Sequence, residues 1–411
     1  MNIKSYYKLF KLKDYRNIWL AQMLSGLGNS LYFVSLMWLI WDKTKSTMHS
    51  GLYAIIYDIP QLALGLWIGV IISRYSLKKV IIFSDIARAI GVILIIISIV
   101  FDKFNLYILY GAVLIEGVMV VINRPATNAI VPQIVPKNQL EIANATTQLT
   151  NRLIGVAGYG IAGVILTSFG ALISIVYNAV SFILSAFLTN KVSENIEFKK
   201  KKTSLKDDFK EGFLYLKQEP VLIIIFSIGI LMNVGGAPIT VLGPAFSEKI
   251  LNAGATGYGM IQASWFCGIA IGAIFIGAYQ SRELWVTLAI GFFIQGIAQL
   301  AFGLSTSLSL ALIFIFIHGA FMSVANIPLF SFVQRYVPTE HLPHVFSILG
   351  TLVMAINPLA FGASGFIAEA VGVKETYIIG GLLPIIATIL IVLPPWLRKV
   401  SINKSHEEAS L

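Results

Sequence analysis

The chain has 411 residues, of which 57% are apolar and only 12% are charged. Ordinary globular proteins carry about 25% charged residues, and so few charges cannot cover the surface of a soluble fold of this size. The composition therefore excludes a soluble protein and predicts a chain surrounded by lipid. The net charge of +10 lies in short segments between apolar runs, which indicates membrane topology rather than a nucleic-acid-binding patch.

Apolar runs long enough to cross a bilayer recur along the whole chain. A span needs about 20 mostly apolar residues to cross roughly 30 Å of hydrocarbon. With Gly, Pro, Asp and Lys clusters as breaks, the sequence predicts an all-α, polytopic membrane protein with twelve transmembrane helices. The predicted spans cover residues 16–41, 49–72, 79–101, 105–124, 141–167, 170–190, 221–246, 256–279, 284–304, 308–327, 340–367 and 375–397. The first run is too long for the core of a cleaved signal peptide.

The positions of lysine and arginine predict the orientation. With the N-terminus in the cytoplasm, 23 of these residues fall in inner segments and 5 in outer segments. Basic loops stay on the cytoplasmic side, so we expect both termini there, in the plasma membrane of a prokaryote. The one long hydrophilic stretch, 191–219, is predicted to be a cytoplasmic basic linker. Its four consecutive lysines at 199–202 are expected to be solvated, with binding of anionic lipid headgroups as the alternative.

The two halves of the chain repeat one another at a nearly constant offset. The matching segments are 69–74 with 277–282, 123–125 with 326–328, and 160–163 with 362–365. Three matches in the same order favour a duplication, so we expect six-helix bundles over 1–190 and 220–411. Two parallel repeats are a plan of secondary transporters, in which the substrate binds near the midplane at the interface of the repeats.

These motifs resemble those of the major facilitator superfamily over nearly the whole chain. Its Gly-x-x-x-Asp-Arg loop motif is matched at Gly69 and Arg74, although Ser73 replaces the Asp. Within the superfamily, the chain is most similar to the bacterial macrolide-efflux and enterobactin-exporter branch. This similarity is carried by Asp85-Ile86-Ala87-Arg88, Arg124-Pro125-Ala126, Gly243-Pro244, Gly257-Tyr258-Gly259 and Pro358. The resemblance implies the major facilitator fold, alternating access and export.

Ionisable side chains within the spans are candidates for chemistry, because a charge at membrane depth is costly. Glu116 lies about 11 residues into its span, near the middle of the bilayer. Lost hydration there favours its protonated form, as a proton carrier requires. The alternative is a carboxylate kept charged by an arginine such as Arg152. Arg152 itself is either that partner, which we favour, or a contact for an anionic substrate.

Asp58 and His318 are further candidates for proton coupling. Asp58, two residues before Pro60, either loads protons from outside or attracts a cationic substrate, or it caps backbone groups freed by the proline. His318 either titrates during transport or, as we favour, is a buried neutral histidine bonded to a backbone carbonyl.

Asp85 and Arg88 are three residues apart, so they share a helix face and can pair. We expect them near the cytoplasmic end of their span, close to Arg74, as a structural and gating charge cluster. Ser73 removes one carboxylate from this cluster. Arg282 is the counterpart of Arg74 in the second half.

Amide, aromatic and thioether side chains are expected to line a central cavity. They are Asn29, Tyr32, Asn233, Gln262, Trp265, Met322, Asn326 and Asn357. Each alone is more often a helix–helix contact, but together with apolar neighbours they describe an adaptable site for an amphipathic molecule.

We therefore predict a monomeric transporter that exports small amphipathic compounds, such as drugs or siderophore-like molecules, in exchange for protons or sodium ions. No Ser–His–Asp, HExxH or nucleotide-binding spacing occurs, so no enzyme, cofactor or metal site is expected. The single cysteine, Cys267, allows no internal disulfide. The alternatives are an uptake symporter or facilitator, and a non-transporting receptor or lipid-binding protein.

Overall fold

The chain is helical throughout the part that the structure, a computed structural model, describes. The described ranges are 3–72, 75–193, 219–278, 283–338 and 342–394, and no strand occurs within them. The helices are α1 (Ile3–Lys11), α2 (Lys13–Thr44), α3 (Thr47–Ile72), α4 (Leu77–Val100), α5 (Leu106–Ile134), α6 (Leu140–Phe169), α7 (Ala171–Asn190), α8 (Pro220–Val241), α9 (Gly243–Lys249), α10 (Gly254–Ala278), α11 (Leu284–Leu304), α12 (Leu308–Tyr336), α13 (Leu342–Val371) and α14 (Val373–Val392). Most of the predicted basic linker, from 194 to 218, lies outside the described residues.

Twelve of these helices have at least 20 residues, and each corresponds to one predicted span. Among the described residues, eleven of the twelve are long and apolar enough to cross a membrane. The long helix outside that set is α3. The prediction of an all-α, polytopic membrane protein is confirmed.

Two predicted span ends are wrong because prolines do not end these helices. The fourth and tenth spans were expected to stop at 124 and 327, but α5 continues through Pro125 and α12 through Pro328. Each helix has 29 residues, so it is about 44 Å long and exceeds the roughly 30 Å of hydrocarbon. Proline removes one hydrogen bond, and membrane helices tolerate this loss where neighbouring groups satisfy the freed carbonyl.

The predicted seventh span, 221–246, is in fact two helices. Helix α8 ends at Val241, and α9 begins at Gly243 after the non-helical Leu242. Pro244 explains the break, because proline has no amide hydrogen with which to continue the hydrogen bonding of α8 and is well placed in the first turn of a new helix.

The ends of equivalent helices are formed by equivalent residues. Asn105 caps the start of α5 by accepting a hydrogen bond from the Tyr107 amide, and Ser307 caps the start of α12. Gly170 ends α6 with φ +78°, and Gly372 ends α13 with φ +113°, a conformation that glycine adopts readily. Both pairs are 202 residues apart. The repeat is therefore present in the helix boundaries as well as in the sequence.

By its contacts the chain forms two compact units, one of residues 1–45 and 52–202, the other of 46–51 and 203–411. In the first unit, α2 packs on α6 and α7, and α4 packs on α5 and α7. In the second unit, α8 packs on α13 and α14, and α11 packs on α12 and α14. Every one of these four pairs has its counterpart one repeat later, so both units use the same packing scheme.

The first turn of α3 belongs to the second unit because α13 holds it. Glu369 Oε2 accepts hydrogen bonds from the Thr47 amide at 2.9 Å, the Thr47 hydroxyl at 2.9 Å and the Ser46 hydroxyl at 3.1 Å. A carboxylate stabilises the unpaired amides at a helix N-terminus. Gly51 and Gly365 lie against each other with no room for a side chain. The sequence did not predict this attachment.

Small residues let α10 and α12 approach closely. A Cβ atom at Gly268 would overlap the carbonyl oxygen of Phe316, and one at Gly272 would overlap that of Ala320. Gly-x-x-x-Gly spacing is typical of membrane helices, where close van der Waals contact drives association. This contact fixes α10 against α12. Trp265 on α10 and the polar residues of α12 described below are thereby held close together.

Candidate functional site

A buried arginine is the centre of the polar core of the first unit. Arg88 lies eleven residues after the start of the 24-residue α4, which is about 16 Å along it and near its midpoint. Its side chain is only 5% exposed. Asp85 is the ninth and Arg88 the twelfth residue of α4, and the expectation that they lie toward the cytoplasmic end of the span stays a prediction.

Four helices meet at the Arg88 guanidinium. Its Nη2 donates to Asn29 Oδ1 of α2 at 2.9 Å and lies 3.5 Å from Glu116 Oε1 of α5. Its Nη1 lies 3.9 Å from Asp85 Oδ1. The guanidinium also stacks 3.9 Å from the ring centre of Phe182 on α7, a cation–π geometry. One cation is thus shared between two buried carboxylates.

Asp85 is held in place by neutral donors. Ser185 Oγ donates to its Oδ2 at 2.6 Å, and Asn123 Nδ2 donates to its Oδ1 at 3.2 Å. Asn123 Nδ2 also donates to Ser84 Oγ at 2.7 Å. Hydrogen bonds of this kind stabilise the charged form of a buried carboxylate. Asp85 is therefore equipped to stay ionised.

Glu116 has fewer hydrogen-bond donors around it than Asp85 has. Its Oε1 faces Arg88, but its Oε2 is buried and has no hydrogen-bond partner among the described residues. The Tyr32 hydroxyl faces Glu116 without reaching hydrogen-bonding geometry. The next residue, Gly117, lets α5 approach the Tyr57 carbonyl of α3. Of the two buried carboxylates, Glu116 is the one with an unused oxygen.

Three arginines of the predicted charge cluster cannot be placed at this site. Arg74 and Arg282 lie outside the described residues, and so does the side chain of Arg152. Among the described side chains, the partner of Glu116 is Arg88 of α4, and the pairing with Arg152 of α6 stays a prediction.

Asp58 is partly exposed on α3, two residues before Pro60. Among the described residues, the positive charge near it is Arg124 of α5. Asp58 and Glu116 therefore interact with different arginines.

A cavity of about 190 Å³ lies within the second unit, among α8, α10, α11, α12 and α13. Its apolar wall includes Ile225, Met232, Leu329, Val333 and Leu349. Five of the predicted site residues line it together, and these are Asn233, Trp265, His318, Met322 and Asn326. These five residues, which were expected to line a central cavity, are thus neighbours around one cavity of the second unit.

Several polar groups of this cavity have identifiable roles. Asn233 Nδ2 donates to the Gly229 carbonyl one turn earlier on α8. His318 Nδ1 lies 3.3 Å from the Gln295 carbonyl oxygen, the bond that the sequence analysis favoured. Trp265 Nε1 and Gln295 Oε1 are buried and have no hydrogen-bond partner within the described part of the chain.

The remaining cavity candidates lie elsewhere. Asn29 and Tyr32 belong to the surroundings of Arg88, as given above. Gln262 is buried in α10 and Asn357 is partly exposed in α13, and neither lines the cavity. Sequence reasoning missed Gln295, although an amide in the middle of an apolar span is the signal that identified Asn233.

Solved structures with this architecture are transporters. A bacterial homologue of the iron transporter ferroportin has a TM-score of 0.75 at 16% identity, with 94% of this chain and 98% of that chain covered. The nucleoside transporter NupG has a TM-score of 0.71 at 14% identity, with 93% and 98% covered. At these identities the likeness shows the fold alone.

Sequence relatives extend over almost the whole chain. Macrolide efflux protein A of Streptococcus pyogenes is 25% identical over 415 residues, covering 97% of this chain and 99% of the relative. The uncharacterized MFS-type transporter YvqJ of Bacillus subtilis is 25% identical over 397 residues, covering 93% and 92%. The model of the transmembrane secretion effector family matches residues 4–409. The chain therefore belongs to the transmembrane secretion effector family and is a membrane transporter of the major facilitator type.

Proposed function

We propose that this transporter exports small amphipathic compounds in exchange for protons, by alternating access. The relatives named for macrolide efflux support export and make a macrolide the first substrate to test. The observation that carries the proton-driven part is Glu116, a buried carboxylate with one oxygen beside Arg88 and the other without a partner.

The charge of the Arg88 cluster explains how a proton acts on it. With both carboxylates ionised, Asp85, Arg88 and Glu116 carry one net negative charge in a buried site. Protonation of Glu116 makes the cluster neutral and leaves Arg88 paired with Asp85. A buried charge without full compensation is costly, so the neutral cluster is the easier one to carry through a conformational change. Proton binding thereby shifts the balance between the transporter's two states.

Glu116 is a better proton acceptor than Asp85 for a geometric reason. Protonation of Asp85 would weaken the hydrogen bonds from Ser185 and Asn123, because they are stronger to an ionised carboxylate than to a neutral one. Protonation of Glu116 would weaken only the 3.5 Å contact between its Oε1 and Arg88 Nη2, and it would give Oε2 a hydrogen to donate. Asp58, which is partly exposed, is the proposed second proton-handling group, and sodium is the alternative coupling ion.

The second unit supplies the matching feature for an amphipathic ligand. Its cavity is mainly apolar with a few polar groups, which is the usual composition of small-molecule sites. Met232 and Met322 add flexible thioether side chains that adapt to ligands of different shape. We further propose that the protein acts as a monomer in a bacterial plasma membrane, with both termini in the cytoplasm.

Purified protein in proteoliposomes tests the proposal. A macrolide such as erythromycin is imposed as a gradient, and a trapped pH dye reports proton movement. We expect protons to move opposite to the macrolide. Glu116→Gln removes the proton site but keeps the shape of the side chain, so we expect it to abolish proton movement. The matched control is Asp42→Asn, which alters an exposed pair with Lys45 and is expected to leave transport unchanged.

Three outcomes would contradict the proposal or a part of it. Movement of both species in the same direction would identify a symporter, and no macrolide-dependent flux of any kind would favour a receptor. Unchanged proton movement in Glu116→Gln would remove Glu116 from the mechanism.

A further inference from the structure

Two polar atoms on the wall of the second-unit cavity lack partners. Gln295 is 2% exposed, and its Oε1 has no hydrogen-bond partner among the described residues. Trp265 Nε1, on the neighbouring α10, is likewise buried and without one. Both residues line the cavity. Buried polar groups are nearly always hydrogen-bonded, so two exceptions facing one cavity call for an explanation.

A neighbouring glutamine differs from Gln295 in having a structural bond through its amide nitrogen, although its Oε1 also has no partner among the described residues. Gln299, one turn further along α11, donates through Nε2 to the Gly235 carbonyl at 2.7 Å and so joins α11 to α8. Gln299 does not line the cavity, whereas Gln295 does. The side-chain oxygen of Gln295 is therefore a buried acceptor without a partner in the wall of the cavity.

The side chains that line the cavity can form hydrogen bonds with a ligand but cannot neutralise a charged one. Among its lining residues there is no Asp, Glu, Lys or Arg, and His318 is the one titratable group. A carbonyl oxygen can only accept, so the contact with the Gln295 backbone places the hydrogen on His318 Nδ1 and leaves Nε2 as an acceptor. The wall thus supplies a donor from Trp265 and acceptors from Gln295 and His318. Ligand hydroxyl groups, which both donate and accept, match this set.

The repeat gives an independent reason to separate this cavity from the charged cluster. Glu116 and His318 are 202 residues apart, the offset that relates Gly170 to Gly372. Arg88 and Gln295 are 207 apart, as are the first residues of α4 and α11. Glu116 contacts the side chain of Arg88, whereas His318 contacts the backbone carbonyl of Gln295. Equivalent helix positions therefore carry ions in the first unit and uncharged groups in the second.

We propose that this cavity is the subsite for an uncharged, hydroxyl-bearing part of the exported compound, and that Gln295 and Trp265 determine its specificity by hydrogen bonding to those hydroxyls. This inference rests on the proposed export function. Small-molecule pockets usually measure about 300–1,000 Å³, so a cavity of about 190 Å³ holds part of a drug-sized ligand rather than all of it.

Equilibrium binding to the purified full-length chain in detergent tests this. The probes are radiolabelled erythromycin, which bears several hydroxyls, and tetraphenylphosphonium, an apolar cation without any. Gln295→Met keeps the length of the side chain and removes its amide, and Trp265→Phe keeps an aromatic ring and removes its N–H. We expect each variant to raise the Kd for erythromycin about three- to tenfold, the usual effect of one neutral hydrogen bond, and to leave the Kd for tetraphenylphosphonium unchanged.

The control variant is Gln299→Met, which removes an amide on the same helix outside the cavity. We expect it to lower thermal stability while leaving the ratio of the two Kd values unchanged. The inference would be overturned if Gln295→Met and Trp265→Phe weakened the binding of both probes equally. It would also be overturned if neither variant raised the Kd for erythromycin. A wild-type chain that binds tetraphenylphosphonium but not erythromycin would overturn it as well. Selective binding without proton-linked transport in proteoliposomes would refute the proposed function alone.

Discussion

Replacing Arg88 by Gln removes the cation that two buried carboxylates share. Breaking a buried ion pair by removing one partner typically costs about 3–5 kcal/mol, because the other charge is left uncompensated. The two carboxylates do not share this cost equally. Asp85 keeps its bonds from Ser185 and Asn123, whereas Glu116 has no other partner among the described residues. Most of the loss should therefore arise at Glu116.

A second substitution separates the two contributions. Adding Glu116→Gln to Arg88→Gln removes the orphaned charge, and we expect it to recover about 2–3 kcal/mol of the free energy of unfolding, the upper range for coupled neighbours. Adding Asp85→Asn instead removes a charge that its neutral donors still stabilise. We expect that second variant to recover less than about 1 kcal/mol.

Reversible unfolding of the purified helical protein in mixed micelles, titrated with sodium dodecyl sulfate and followed by circular dichroism, measures these energies. The cycle needs the three single variants and the two double variants. Asp42→Asn, at an exposed pair, serves as the control and should change the unfolding free energy by less than about 0.5 kcal/mol. Equal rescue by Asp85→Asn and Glu116→Gln, or no coupling in either cycle, would refute the unequal roles assigned to the two carboxylates.

Three further predictions concern packing, capping and topology. Gly272→Leu should destabilise the protein by about 1–3 kcal/mol or more in the same unfolding assay, because its side chain overlaps the α12 backbone. Glu369→Ala should cost about 0.5–2 kcal/mol there, the usual loss for a helix N-cap at the start of α3. In a Cys267→Ser background on intact cells, a membrane-impermeant maleimide should label Lys103→Cys but not Lys137→Cys, and the reverse pattern would invert the proposed orientation.

The positions of the spans were predictable because lipid imposes one simple requirement. About 20 apolar residues must occur in succession, and few other structures need such runs. The span ends at Pro125 and Pro328 were not predictable by the same rule. In soluble proteins proline usually ends a helix, whereas α5 and α12 continue through it.

The candidate site was predictable in its residues but not in its pairings. An ionisable group in an apolar run is conspicuous in any sequence, so Arg88 and Glu116 were both found. Their partnership depends on the rotation of α4 and α5 about their axes, which hydrophobic periodicity does not give when helices are apolar all round. The sequence therefore did not predict the pairing of Glu116 with Arg88, and its suggested pairing with Arg152 stays a prediction. Gln295 was missed because an amide is less conspicuous than a charge.

The duplication offers a way to find such residues that composition alone does not. Two units with the same packing pairs impose similar geometry on equivalent positions, so a change of chemistry between them reflects function rather than folding. Asn29 beside Arg88 and Asn233 on the cavity wall lie on the equivalent helices α2 and α8. The positions of Arg88 and Glu116 instead exchanged an ion pair for Gln295 and His318. Those two positions are where a duplicated scaffold of this kind must diverge if one unit handles protons and the other binds an uncharged ligand.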